Sequence, residues 1–246
     1  MSADSFGESR HSLRIVLLGR FTFLCRQLTC LNPFIHLMKK QFSFLFLAAL
    51  VAAPFVSAQQ AHISSEGILT AGNTSWRTLF MDKQWRAITQ DRHFVVETAA
   101  DQNYKGVFQL SSGEYLFDYD ISFTPTAGGY AIDSHVSNTD TIQVNILAYQ
   151  GTLTVEDFAG KTIQLDGEPV VLPELYAGQS NLIMRYANTV TIPSSAGPLV
   201  FKGEFDVMII DAREYNDPKY FVRLMYKPHK GTIQNSAFKA KLTIGQ

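Results

Sequence analysis

The sequence predicts a mainly β protein, a single antiparallel β-sandwich of the jelly-roll kind with a short N-terminal helix, preceded by a signal peptide. After residue 88, apolar and polar residues alternate along most segments, as they do in strands with one buried face. Turn signals rich in Gly, Pro and Asp separate about ten to twelve such segments, roughly one every ten residues. This pattern is typical of sandwiches and related all-β folds.

Residues 38–58 have the order of a secretory signal peptide. Met38-Lys39-Lys40 is basic, an apolar run of about 15 residues follows, and Val56-Ser57-Ala58 offers small residues for cleavage. The run is shorter than the roughly 20 residues that span a bilayer. We therefore expect cleavage after Ala58, export to the periplasm or the outside of the cell, and no membrane span afterwards. An uncleaved N-terminal anchor is the alternative.

Residues 1–37 do not fit in front of a signal peptide. They are basic and aperiodic, and Met38 stands where an initiator methionine would stand. We interpret 1–37 as a misassigned gene start. The alternative is a disordered basic extension held on the cytoplasmic side. Residues 59–246 then form the single sandwich domain.

The composition of residues 59–246 excludes several functions. They hold 15 Lys and Arg against 20 Asp and Glu, a net charge of −5, which argues against nucleic acid or an anionic membrane as the main partner. Both cysteines, Cys25 and Cys30, precede this body. The body therefore has no disulfide, no Cys-ligated metal and no Cys nucleophile.

A short helix is predicted over Trp76–Ile88, after the polar segment 59–74, which is interpreted as an exposed leader or a short first strand. Trp76, Leu79 and Phe80 have the i, i+3, i+4 spacing of a helix face. Strand alternation through Trp76, Thr78 and Phe80 is the competing interpretation.

The remaining elements are predicted strands. In 115–123 every second residue is apolar, so Tyr115, Phe117, Tyr119, Ile121 and Phe123 are expected to face inward together. The segment 141–149 is expected to place Ile142, Val144, Ile146 and Ala148 on one face. Gly151 predicts a turn, and Asp166-Gly167 predicts a tight hairpin.

Acidic residues give one candidate metal site. Asp118 and Asp120 share the polar face of their predicted strand. Solvation is the simpler interpretation, weak calcium binding is the second, and catalysis by paired carboxylates is the third. No zinc HExxH motif, no GxSxG nucleophile elbow and no phosphate loop occur in the sequence.

Four aromatic residues near predicted turns or the helix give a candidate ligand site: Trp76, Trp85, Tyr215 and Tyr220. Exposed Trp and Tyr rings stack on sugars and offer a polar group at the ring edge. Packing of the same rings against the sheet is the competing interpretation.

These observations predict an exported, non-catalytic module that binds a polysaccharide or an envelope protein, with no cofactor other than calcium. One alternative is a secreted glycan-active enzyme that uses paired carboxylates. The other is a structural envelope protein that assembles through its edge strands. The prediction rests on analogy between folds, and a fold does not determine a function.

Overall fold

A computed structural model describes residues 61–245. The predicted signal peptide, its cleavage point and the segment 1–37 lie outside the described residues. The strands, numbered in chain order, are β1 Ala61–Ile63, β2 Leu69–Ala71, β3 Thr74–Asp82, β4 Ala87–Thr89, β5 Phe94–Ala100, β6 Asn103–Gln109, β7 Tyr115–Thr126, β8 Gly129–Thr154, β9 Thr162–Leu165, β10 Glu168–Val171, β11 Asn181–Ile192, β12 Leu199–Asp211, β13 Lys219–Met225 and β14 Gly231–Ile244. The helical turns are α1 Gln90–His93, α2 Val155–Phe158 and a 3-10 turn, Ala212–Tyr215.

One long strand, β8, organises the sheet. Its first half pairs with β7 and β14, and its second half pairs with β3 and β13. Strand β12 also pairs with both β14 and β13, so the circuit β8–β13–β12–β14 closes on itself. The prediction of a mainly β, antiparallel domain is confirmed. The fourteen described strands form one continuous sheet in a barrel-like arrangement, instead of the two separate sheets of the predicted sandwich.

The predicted inward face of β7 is largely confirmed. Phe117, Tyr119, Ile121 and Phe123 are at most 2% exposed and belong to the main core. Tyr115 is the exception, because it is 45% exposed. The pairing of β6 with β7 shifts by one residue just after Tyr115, and this bulge turns Tyr115 away from the interior.

The helix predicted over Trp76–Ile88 is wrong. The stretch forms β3, a tight turn and β4, which pairs back on β3. Strand β3 is hydrogen-bonded to β8 along nearly its whole length, and Trp76, Thr78 and Phe80 face the interior. The strand alternation therefore describes this segment, since sheet pairing outweighs a weak local helix pattern.

Gly151 lies inside β8, so the turn predicted there is wrong. A Cβ atom at Gly151 would lie 2.6 Å from the ring of Trp76, which covers this position from the neighbouring strand. The glycine is needed for close contact with the indole and not for a reversal of the chain. The Asp166-Gly167 hairpin is confirmed, because both residues have positive φ and join β9 to β10.

A bulge in β8 changes which residues face inward. The register between β3 and β8 skips Asn145, so the strand carries one extra residue there. Val144 and Leu147 consequently both face the main core, whereas Ile146 and Ala148 join a separate apolar cluster. The prediction that Val144, Ile146 and Ala148 share one face is therefore wrong beyond the bulge.

Candidate functional site

A groove of about 760 Å³ crosses the outer face of the sheet over β4, β3, β8, β13, β12 and β11. We call it the outer groove. Its volume falls within the roughly 300–1,000 Å³ that is typical of small-molecule sites.

The floor of the outer groove is mainly apolar. It contains Leu79 from β3, Ile146 from β8, Met208 and Ile210 from β12 and Phe221 from β13. Leu79 and Ile146 belong to the second apolar cluster, and Met208 packs against that cluster. These side chains face outward because their strand neighbours fill the interior, so the sheet is apolar on both faces in this region.

A row of polar side chains crosses this apolar floor. In the strand register Arg77 lies opposite Gln150, Gln150 opposite Arg223, and Arg223 opposite Met208. Gln150 is 3% exposed and Arg223 is 7% exposed. The Arg223 Nε donates a hydrogen bond to the Gln150 Oε1 at 2.8 Å, and its Nη1 lies 3.8 Å from the Met208 sulfur. Sulfur is a weak acceptor, so this second contact satisfies the charge poorly.

Arg223 is a buried cation without a counter-ion among residues 61–245. None of the ion pairs in this part of the chain includes it. Burial lowers the pKa of Arg223 to about 10, and the nearby Tyr215 phenol opposes this shift. The guanidinium therefore stays protonated at neutral pH, in surroundings where an unpaired charge is costly.

The other cationic side chains of the groove have carboxylate partners. Arg77 pairs with Asp91 at 2.9 Å, yet its Nε is buried without a hydrogen-bond partner in the described part of the chain. Lys219 pairs with Asp217 at 2.9 Å, and Arg92 lies nearer the solvent. Among the described residues that line the groove there are thus four cationic side chains and one carboxylate, that of Asp217.

Two of the four predicted aromatic residues, Trp85 and Tyr215, line this groove. Trp85 is 62% exposed in the β3–β4 turn, and Tyr215 is 65% exposed at the end of the 3-10 turn after β12. The turn that carries Trp85 is shaped by Asp82, whose carboxylate accepts hydrogen bonds from two backbone N–H groups of that turn, each at 2.9 Å. Both aromatic rings therefore present exposed faces beside the apolar floor.

The other two predicted aromatic residues lie in the interior. Trp76 is fully buried, and its indole N–H donates to the Thr74 hydroxyl at 3.0 Å. Tyr220 is fully buried, and its hydroxyl donates to the Pro173 carbonyl. Neither ring has a face available for a ligand, which agrees with the packing interpretation.

The predicted calcium ligands lie on the outer face of β7, away from the strands of the groove. Asp118 is exposed, and Asp120 stands in register with Lys105 on one side and His135 on the other. Partial burial raises the pKa of Asp120, while His135 and Lys105 act in the opposite direction. Within residues 61–245, no group of three His, Cys, Asp or Glu side chains is placed to hold a metal ion.

Sequence reasoning missed the polar row of the groove. Its one visible signal was Arg223, the single charge within the otherwise apolar stretch 220–225. That signal lacked a partner in the sequence, because Arg77 and Gln150 come from distant strands and only the register brings them beside it.

In comparisons with known proteins, no family model, no curated protein and no solved structure matches this chain. None of the helices found within residues 61–245 has the length and apolar character needed to cross a membrane.

Proposed function

We propose that the domain is an exported, non-catalytic binding module that holds its ligand in the outer groove. One observation supports this above all: the groove joins an apolar floor, a buried cation and two exposed aromatic rings. A concave, mostly apolar surface with a few converging polar groups is the usual form of a ligand site.

The charges of the groove favour binding over glycan hydrolysis. Two-carboxylate hydrolysis needs an acid and a second carboxylate facing the same bond. Within the described part of the groove lining, Asp217 is the single carboxylate, and it is paired with Lys219. The site therefore offers contacts that hold a ligand and lacks the pair of groups that would cleave a sugar.

The two aromatic rings define the extent of the proposed site. Trp85 follows β3 and Tyr215 follows β12, and β8 and β13 lie between these strands. Three strand spacings correspond to roughly 14 Å across the strands. The separation along the strands adds to this distance, because Asp82 pairs with Val144 on β8, whereas Asp211 is in register with Tyr220, which pairs with Leu153 near the other end of β8. A ligand that contacts both rings must therefore be elongated, as an oligosaccharide, an apolar chain or a peptide segment is.

Fluorescence tests this proposal directly because the protein contains two tryptophans, the buried Trp76 and the exposed Trp85. The purified protein would be titrated with oligosaccharides, fatty acids and apolar peptides. We expect one class to produce a saturable change in emission that the Trp85→Phe variant abolishes. Calorimetry of the same variant should still detect binding. If none of the classes changes the emission or binds by calorimetry, the proposal is wrong.

A pair of tyrosine variants locates the ligand. Tyr215→Ala should weaken binding about five- to tenfold, because one aromatic contact contributes roughly 1 kcal/mol. Tyr115→Ala is the matched control, since Tyr115 is also exposed but lies on β7. Equal losses in both variants would contradict a site in the outer groove.

Export is a separate part of the proposal and rests on the sequence of residues 38–58. A reporter enzyme that is active only outside the cytoplasm would be joined after Ala58. We expect activity with the native segment and a strong loss when Lys39 and Lys40 are replaced by Glu. Activity confined to the cytoplasm would contradict export.

A further inference from the structure

We propose that the ligand of the outer groove is a fatty acid, whose carboxylate binds Arg223 and whose aliphatic chain lies on the apolar floor. This inference rests on the proposed function and names its ligand class. It joins two features that a neutral ligand would leave unexplained, namely a buried charge and the apolar surface around it.

The charge of Arg223 requires an anion. Arg223 is 7% exposed and forms no ion pair with any side chain of residues 61–245, although it lines an open groove. Its Nε is held by Gln150, and no described side chain accepts a hydrogen bond from Nη2. A carboxylate entering the groove would supply the counter-ion that the fold does not provide.

The geometry of the guanidinium favours a carboxylate. The hydrogen bond from Nε to Gln150 fixes the plane of the group and leaves the two terminal nitrogens for the ligand. Two parallel N–H donors match the two oxygens of one carboxylate. The sulfur of Met208, 3.8 Å from Nη1, is the weak partner that a carboxylate oxygen would displace.

Arg77 gives the same region a second unsatisfied donor. It stands across Gln150 from Arg223 in the strand register, and its buried Nε has no described partner. Its terminal Nη1 is already neutralised by Asp91 at 2.9 Å. The row therefore carries about one uncompensated positive charge at its centre, which a monoanionic headgroup balances.

The floor suits an aliphatic chain. Phe221 is partly exposed in the groove beside the buried side chains of Leu79, Ile146 and Ile210, and these four side chains have no hydrogen-bonding group that a sugar hydroxyl could use. Met208 adds a flexible side chain that adapts to the shape of a chain. The chain would gain from the removal of apolar surface from water on both partners.

The test compares dodecanoate with dodecanol and acetate, using the whole protein, calorimetry and Trp85 fluorescence. Dodecanoate should bind at least about tenfold more tightly than dodecanol, and acetate should not bind measurably. Arg223→Met should remove the preference for dodecanoate, so that dodecanoate and dodecanol bind with similar affinity. Arg223→Lys should keep part of the preference, and Lys105→Met, which removes an exposed cation on β6 away from the groove, should keep all of it.

The outcomes separate this inference from the proposed function. Equal affinity for dodecanoate and dodecanol, or an unchanged preference in Arg223→Met, would refute the role of Arg223. Binding of an oligosaccharide or a peptide in place of dodecanoate, reported by Trp85, would refute the fatty acid and preserve the groove as a site. Dodecyl phosphate would be tested in the same way. If it binds tightly and dodecanoate does not bind, a carboxylate as the headgroup is refuted. Binding of dodecanoate that Trp85 does not report would place the ligand elsewhere and overturn the inference.

Discussion

Replacement of Trp76 by alanine should destabilise the domain more than any change at the groove. The indole is fully buried, lies over Gly151 and packs on Phe201 with the ring centroids 4.3 Å apart. A buried Trp side chain removes roughly 150–250 Å² from water, which corresponds to about 4–6 kcal/mol at 25 cal/mol per Å². Measured changes from a large aromatic residue to alanine cost about 3–5 kcal/mol, and we expect Trp76→Ala to fall in that range.

The assay is unfolding by urea and by heat, followed by circular dichroism. For a domain of this size, each kcal/mol lowers the melting temperature by about 2–4 °C, so a fall of roughly 10 °C is expected. Trp85→Ala is the matched control, because Trp85 is 62% exposed and its loss should cost within about 0.5 kcal/mol. If Trp76→Ala stays within about 1 kcal/mol of the parent protein, the placement of the indole in the core is refuted.

A milder change gives the same test if the alanine variant does not fold. Thr74→Val removes the acceptor of the indole N–H and the donor to the Ala71 carbonyl, which lie at 3.0 and 2.8 Å. Both bonds are buried, so the loss should be about 1–3 kcal/mol. A neutral result for Thr74→Val would contradict the same placement of Trp76.

Three further predictions concern the core. Gln90→Leu should lower the free energy of unfolding in urea by about 2–4 kcal/mol, because the buried Gln90 amide makes three hydrogen bonds to backbone groups. The control Gln164→Leu, on the exposed face of β9, should change it by no more than about 0.5 kcal/mol, and equal losses in both variants would contradict the buried role of Gln90. Phe117→Ala should lower stability by about 3–5 kcal/mol and Tyr115→Ala by less than about 1 kcal/mol in thermal melting, and the reverse order would show that the inward face is misassigned. Burial raises the pKa of Tyr149 well above its usual value, so above about pH 10 the unfolded chain releases the phenol proton while the folded chain keeps it. The urea midpoint should therefore fall as the pH rises above about 10, and it should fall less steeply in Tyr149→Phe. An equally steep fall in both proteins would contradict the burial of the Tyr149 hydroxyl.

Local alternation was sufficient to predict the strands and much of the core. The inward residues of β7 and the Asp166-Gly167 turn follow from patterns within a few residues, and both are confirmed. The errors at Tyr115 and in the second half of β8 have a common physical cause. A bulge adds one residue to one strand, and the sequence pattern alone does not show which residue the partner strand skips.

The candidate site was only partly predictable for a related reason. Trp85 and Tyr215 were identified because they stand in the predicted helix or near a predicted turn. Trp76 and Tyr220 were identified on the same grounds, but both side chains are fully buried in the structure. The central polar row depends on the pairing of β3, β8, β13 and β12, and such pairing is a property of the register and not of any one segment.

The extra residue in β8 has a consequence for how such a site arises. Asn145 sets the phase of the strand, so deleting it would exchange the two faces of everything between the bulge and the end of the pairing with β3. Ile146 and Gln150 would then turn inward, and Leu147 and Tyr149 would turn outward. The groove therefore depends on the presence of Asn145, although this residue is not one of the described residues that line the groove. Insertion or deletion of one residue in a strand is therefore a single step, in evolution or in design, that can add an apolar ligand-facing layer to the outer face of a sheet or remove it.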